Sequence, residues 1–578
     1  MADPENLAHF LDRSFLAIAR ETPEFPTQMG VFEIAGEEVP QNSFAGLKPE
    51  DADRRQRVLD DIKQGLERFP RNRLAEEDAI TLEVIEFFLD YAYERSIVGR
   101  AGRALLDHDY AVRPSLGVQT DLPLFLTQLH PMRHRQDAEC YLARLRCIGL
   151  RLQDAAERLR AQRGTGLLPP QLILGGTADE IEQIVKEPAS DNSFTRAFLE
   201  KTQAMPDLPE TDRDHMVREI EHELASNTYP AFDRLAEAID AAIPDAGRAI
   251  GLWQLPEGEA WYAFLLRAAT TTSLSADEIH EIGLEQTRLL QDEIRVASRE
   301  MGLAVTEMAD IDDALNSRRE PTVTEDDDDA RRALVSEIED RILASKAAVT
   351  PFFHRLPSRK VGVRAIPRFA EQHRNQSYQP PSLDGARAAF FELNVGQLLD
   401  APAAEKALLV YHEIFPGHHL QLSLAQEIDD LPLWRRAITF DSYIEGWAKY
   451  AEVLADETGL SGDPEYHLLR LRRDLLSTAN LVLDTGIHAK RWTLDQATDF
   501  IRSQAGLGAD FATYIVHRSA AVPAQLCSYK IGLMKFLELR AKVRTAQGDA
   551  FDVKDFHDSV LKHGAMPLEL LETVIAAG

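Results

Sequence analysis

Apolar residues recur at three- and four-residue spacing between charged ones over Asp137 to Arg163, Asp212 to Ile243, Ser275 to Met301 and Ala330 to Val349. That period puts the apolar side chains on one stripe of a helix, so each stretch is predicted to be helical and half-buried. Ser275 stands where an N-cap belongs, and Glu278 three residues later completes a capping box ahead of Ile279. The clear departure lies between Val361 and Asn394. Val361 to Pro367 and Ala389 to Asn394 look like short strands flanking a loop with Pro380, Pro381 and Gly385. An ordinary hairpin fits the same residues. The acidic run Glu325 to Asp329 marks a solvated loop entering a helix, where negative charge suits the N-terminus. It lacks the alternation and the glycine of an EF-hand. The expected class is mainly α with a small β-sheet.

Length changes this picture first. At 578 residues the chain exceeds what one hydrophobic core supports. Two lobes are expected, a helical one over residues 1–250 and a second over 251–578, with an approximate boundary across which the lobes can interleave. A hydrophobic content of 44% and a charged content of 28% are those of a globular protein. The net charge of −31 disfavours nucleic acid and anionic membrane as partners, since both would be repelled. Cys140, Cys147 and Cys527 are too few and scattered for a disulfide framework or a thiolate site, and the first two, seven apart, are expected on one buried helix face. Met1 to Glu5 lacks the basic start of a signal peptide, and Phe15 to Ala19 is too short to span a membrane. A cytoplasmic location is the expectation, with the oligomeric state open.

Candidate chemistry is concentrated in His412-Glu413-Ile414-Phe415-Pro416-Gly417-His418-His419, followed by Ser442-Tyr443-Ile444-Glu445-Gly446-Trp447. A zinc-peptidase helix carries its two histidines at i and i+4, where both reach one ion. Here the i+4 position is Pro416. On an unbroken helix His412 and His418 would be about 120° apart around the axis and roughly 9 Å apart along it. Such a pair cannot share an ion. Pro416 has no N–H, and its ring clashes with the carbonyl of His412; Gly417 permits backbone angles other residues avoid. A two-residue bulge there would carry His418 round to the i+4 place, point Glu413 at the attacking water and turn His419 elsewhere. Glu445 supplies a carboxylate where a third ligand is expected. The same residues also read as helix-terminal histidines beside a kink, and His418 and His419 both remain candidates for the ion. Asp484 and His488, four apart on a stretch of helical period, could bind metal or let the carboxylate orient the imidazole, with His488 touching substrate or packed as a structural histidine.

The stretches HEIFPGHHLQ, EGWAKYAE, DTGIH and RSAAVPAQLCSYKIG resemble the DUF885 family, a domain family of unknown function. That family is itself similar to the gluzincin zinc peptidases, especially their helical carboxypeptidase and oligopeptidase branches. The resemblance implies a two-lobed zincin-like helical fold with a small sheet beside a cleft. It implies His412, His418 and Glu445 as ligands of one zinc ion per chain and Glu413 as general base. It also implies that Glu452, two turns beyond Glu445, supports the ligands from behind; unaided, Glu452 reads as a surface or core-edge glutamate. An edge strand that pairs with extended peptide follows from the same likeness. So does a tyrosine that steadies the oxyanion, for which Tyr529 is the match; unaided, it is a core-edge tyrosine. Around it, Gln525 belongs to the same constellation, and Arg518 and Lys530 could receive a substrate carboxylate or be surface charges. Ala524 departs from the family, which has glycine after the proline.

The expected function is therefore a zinc-dependent hydrolase, a carboxypeptidase- or oligopeptidase-type metallopeptidase acting on short peptides. One alternative hydrolyses a non-peptide amide or ester at the same site. Another is a non-catalytic zinc-bearing scaffold, against which Glu413 argues, because a scaffold needs no base beside the metal. Substrate, cleavage position and the physiological metal stay open, since manganese or cobalt accepts the same donors.

Overall fold

The computed structural model of the protein describes residues 6–37, 42–92, 110–114, 116–316, 326–366, 368, 371 and 375–577. Expectations resting on Met1 to Glu5, Pro321 to Glu325 and Pro367 lie outside the described residues. The fold is mainly helical with one three-stranded sheet. The chain divides into two compact units, Met1–Pro70 with Tyr93–Trp261, and Arg71–Ala92 with Tyr262–Gly578. Arg71–Ala92 belongs to the second unit because its aromatic residues pack there: Phe87 meets Phe440 edge-on, and Phe88 meets Trp434. Among the described residues no helix is long and apolar enough to cross a membrane.

The first unit is built on α1 (Arg135–Gln162) and α2 (Tyr229–Ala242). Tyr141, Leu145, Ile148, Leu152 and Leu159 share a stripe of α1 and join Phe232, Leu235 and Ile239 of α2 in one core. Full burial of a leucine side chain contributes roughly 1.5–3 kcal/mol, so this seam is a substantial part of the unit's core. The predicted helix from Asp212 to Ile243 is interrupted. Glu210–Glu223 and α2 are joined by a wide π-helical turn, Leu224–Thr228, just before Pro230, which has no N–H for the regular ladder. Cys140 is buried as expected, but Cys147 is only half-buried.

The second unit contains α3 (Ala276–Glu300), whose capping box is the predicted one. Ser275 Oγ accepts from the Glu278 N–H, and Glu278 Oε2 accepts from the Ser275 N–H. Asp327 caps α4 (Asp328–Val349), accepting from the N–H groups of Asp329 and Ala330. The sheet comprises β1 (Val361–Ala365), β2 (Ser377–Gln379) and β3 (Ala389–Leu393), in the order β1-β3-β2. The two predicted strands pair parallel rather than as a hairpin, and the three-residue β2 pairs antiparallel with β3.

Six further helices carry the candidate site residues: α5 (Ala403–Glu413), α6 (His418–Gln426), α7 (Asp441–Glu457), α8 (Tyr466–His488), α9 (Ala509–Ala521) and α10 (Cys527–Gln547). Leu290 and Ile294 of α3 meet Leu468, Leu471 and Leu475 of α8 in a buried cluster. Helices α7 and α10 cross where Gly446 faces Gly532, and no side chain separates the two backbones.

Candidate metal centre

The His-Glu run is broken into two helices instead of bulged within one. Helix α5 stops at Glu413, Ile414 leaves helical geometry (φ −120°, ψ −85°), and α6 restarts at His418. Gly417 makes the reversal feasible. Its backbone passes so close to His412 that a methyl group on it would lie 1.7 Å from the His412 carbonyl oxygen. Trp447 of α7 ties the break down, its indole N–H donating to the Pro416 carbonyl at 2.8 Å. The two imidazoles then stand edge to face with ring centres 4.9 Å apart.

Glu445 of α7 completes the cluster. His412 Nε2 and His418 Nε2 lie 3.7 and 3.5 Å from the same carboxylate oxygen, Oε2. One donor atom from each of His412, His418 and Glu445 can be chosen so that all lie within 4.8 Å of one another. Two donors bound at about 2 Å to one tetrahedral ion stand roughly 3.3 Å apart, so the spacing suits a small divalent cation. The hydrogen bonding agrees. Glu445 Oε2, the oxygen that both imidazoles face, is buried with no hydrogen-bond partner. Such an atom is costly unless a further group satisfies it. The residues fit a cation.

Behind the cluster, the His412 Nδ1–H donates to Glu452 Oε1 at 2.8 Å, which leaves Nε2 directed at Glu445. Glu452 is fully buried and takes a second partner, the Lys449 ammonium, at 2.6 Å. Burial alone would lower the His412 pKa; the carboxylates Glu445, Glu452 and Glu413 outweigh it and raise the value to about 9. Burial likewise opposes ionisation of Glu445, yet His418 and His412 hold its carboxyl well below the usual range. Glu413, next to His412 at the end of α5, is buried and acts electrostatically on both His412 and Tyr378.

His419 is turned away. Its Nε2–H donates to the Arg359 carbonyl at 3.2 Å, and its Nδ1 accepts from Tyr378 of β2 at 2.9 Å. Burial lowers its pKa to about 4. It anchors the sheet to α6, and His418 is the histidine that joins the cluster.

The remaining candidates separate into two groups. Tyr529, Gln525 and Arg518 assemble beside Glu445. Arg518 Nη2 donates to Gln525 Oε1 at 2.8 Å and approaches the Tyr529 hydroxyl at 3.4 Å, with Gln525 Nε2 3.5 Å from that hydroxyl. Burial and the Glu445 carboxylate push the phenol up to about 12, so it keeps its proton at neutral pH. Asp484, His488 and Lys530 form the other group, each engaged by protein partners. Asp484 accepts from the Tyr262 hydroxyl, the Ser519 hydroxyl and the Ala524 N–H at 2.7 to 2.9 Å, which fixes the turn between α9 and α10. Ala524 adopts the left-handed region there (φ 68°), the conformation for which glycine carries no penalty. His488 donates from Nε2 to the Ser519 carbonyl and packs against the Tyr262 ring. No third ligand joins Asp484 and His488 among the described residues. Lys530 is neither a surface charge nor free for substrate: it is buried, with Nζ 2.9 and 3.0 Å from the two oxygens of Asp474.

Sequence reasoning missed Lys449, Gly446 with Gly532, and Tyr378. Lys449 was readable, since it stands three residues before Glu452 on one helix face. The other contacts join distant segments and leave no local signal.

The class so defined is a mainly helical protein with a buried His-His-Glu cluster at a broken helix. The chain belongs to the bacterial family of proteins of unknown function DUF885, whose pattern matches residues 23–575. No curated protein matches it. Similar solved structures include the following two. One, named "putative lipoprotein", is from Colwellia psychrerythraea, with a TM-score of 0.92 at 25% identity over 99% of this chain and 98% of that one. The other, a "putative lipoprotein of unknown function" from Shewanella oneidensis, has a TM-score of 0.71 at 17% identity over 99% of this chain and 100% of that one.

Proposed function

We propose that this chain is a zinc-dependent hydrolase of gluzincin-like, zincin-type architecture that cleaves an amide bond in short peptides. The observation that carries the reading is the convergence of His412, His418 and Glu445 beside Glu413, with the unsatisfied Glu445 Oε2 inside the cluster. His412, His418 and Glu445 would hold the ion, which supplies Lewis-acid chemistry to a substrate carbonyl and to water.

This chain's own residues do the rest. Glu452 holds the His412 Nδ1 proton, so Nε2 presents its lone pair to the cluster. Glu413 takes the proton from the attacking water and returns it to the leaving amine. Tyr529, protonated at neutral pH, donates to the oxygen on which negative charge develops, and Gln525 and Arg518 hold its hydroxyl in position.

Elemental analysis of purified wild type, His418→Ala and His419→Ala tests the reading first. One zinc per chain is expected in wild type and His419→Ala, and none in His418→Ala. Absence of metal from every sample, even after zinc is added back, would end it. With a peptide substrate in hand, Glu413→Gln is expected to keep the ion and lose about 10²- to 10⁴-fold in kcat.

A further inference from the structure

We infer that Arg518 receives a free carboxylate next to the bond that is cut, and that the terminal side chain lies against Tyr514 and Phe511. This rests on the hydrolase reading and names its substrate class: short peptides or N-acyl amino acids ending in an apolar or aromatic residue with a free α-carboxylate.

Two cations in the α9–α10 region are candidates for such a carboxylate. Lys530 is already neutralised by Asp474. Arg518 has no carboxylate within ion-pair distance among the described residues; its hydrogen-bond partners are the uncharged Gln525 and Tyr529. It is half-buried, and the Glu445 carboxylate is close enough to act on it electrostatically. A guanidinium held by two neutral groups keeps part of its donor fork for an incoming anion, and that fork matches a carboxylate in two-point geometry. Tyr529 lies 3.4 Å from the same guanidinium, so an anion on Arg518 would lie beside the hydroxyl proposed to serve the oxyanion.

The face of α9 next to Arg518 supports a terminal apolar side chain. Phe511, Tyr514 and Arg518 fall at i, i+3 and i+7, on one side of the helix. Phe511 and Tyr514 stack with ring centres 5.9 Å apart and planes 16° apart, yet are 45% and 42% exposed. An aromatic pair left open beside a cation without a carboxylate partner is a platform for a side chain whose backbone ends in a negative charge.

The test uses hippuryl-phenylalanine and its C-terminal amide, with the full zinc-loaded chain. Both are assayed for hydrolysis by wild type, and for binding to Glu413→Gln by calorimetry. The free acid is expected to be favoured about 10- to 100-fold in kcat/KM and in Kd, the scale of a charge-assisted pair. Arg518→Gln should lower turnover of both compounds and bring the acid-to-amide ratio in Kd and kcat/KM to about one, and Arg518→Lys should restore part of that ratio. Unfolding midpoints confirm that each variant is folded. Equal handling of acid and amide by wild type overturns this inference and leaves the hydrolase reading standing. Preferential binding of the acid without hydrolysis of either compound supports the Arg518 site and sinks the hydrolase reading. Neither binding nor hydrolysis overturns both.

Discussion

Gly446 of α7 and Gly532 of α10 meet backbone to backbone. A methyl group on Gly446 would lie 2.5 Å from the Cα of Gly532, and one on Gly532 would lie 2.1 Å from the Ser442 carbonyl oxygen. Glu445 immediately precedes the first glycine, and Tyr529 is three residues before the second. The close crossing therefore sets the separation between a cluster carboxylate and the hydroxyl proposed to serve the oxyanion. Three consecutive residues of α7 thus point three ways. Glu445 faces the histidines, Gly446 admits α10, and Trp447 holds the Pro416 carbonyl.

Substituting either glycine with alanine forces the helices apart. Overpacking in a filled interior costs about 1–3 kcal/mol. Gly446→Ala is expected to lose at least that much in denaturant unfolding and to weaken zinc binding, because Glu445 moves with α7. Wild-type metal affinity in a folded Gly446→Ala protein would show that the crossing does not set the position of Glu445.

Gly417→Ala strikes the broken helix itself. The added methyl meets the His412 carbonyl oxygen at 1.7 Å, and that atom is backbone, so it cannot swing aside. The turn between α5 and α6 must rearrange, and His418 leaves the cluster. The expected result is a protein that no longer holds zinc through equilibrium dialysis. Retained stoichiometric zinc would mean that His418 is not a ligand.

Glu452→Gln separates support of the ligands from ligation. The amide can still accept from the His412 Nδ1–H, but the charge that raises the basicity of the imidazole is lost. Zinc affinity is expected to fall about 10- to 100-fold, the usual effect of a group that orients a metal ligand. Competition against a chromophoric chelator measures it. Lys449 loses its partner in the same variant, so Lys449→Met with Glu452→Gln should be more stable than Glu452→Gln alone.

Legibility in the sequence followed locality. The capping box at Ser275 and the helical stripes were readable because their partners lie within four residues. The ligand candidates were readable because the Pro416-Gly417 break explains itself in one turn of chain. His418 and His419 could not be told apart, since the choice depends on Tyr378 and Arg359, 41 and 60 residues away from His419. Lys530 looked free for the same reason: Asp474, which neutralises it, is 56 residues distant. Strand β2 escaped notice because three residues cannot display an alternating pattern.

Acid should destabilise the second unit through His557, which is far in sequence from the cluster. Its ring is fully buried and stacked on Phe353, with centres 4.5 Å apart. The Nδ1–H donates to the Phe352 carbonyl and Nε2 accepts from the Tyr450 hydroxyl, both at 2.8 Å, so the neutral ring fills both positions. Burial lowers its pKa to about 4, only partly opposed by the bond to Phe352. An unfolded histidine titrates near 6.5. Between these values the unfolded chain binds a proton that the folded one refuses, so stability falls as pH drops from about 6.5 towards 4. A depression of that size corresponds to on the order of 3 kcal/mol across the window. His557→Phe removes this titration while losing both hydrogen bonds. It is therefore expected to be less stable at pH 7.5 but to show a flatter decline between pH 6.5 and 4 by about one proton. Chemical denaturation across that range gives the slope directly. An unchanged slope in the variant would show that His557 is protonated in the folded state.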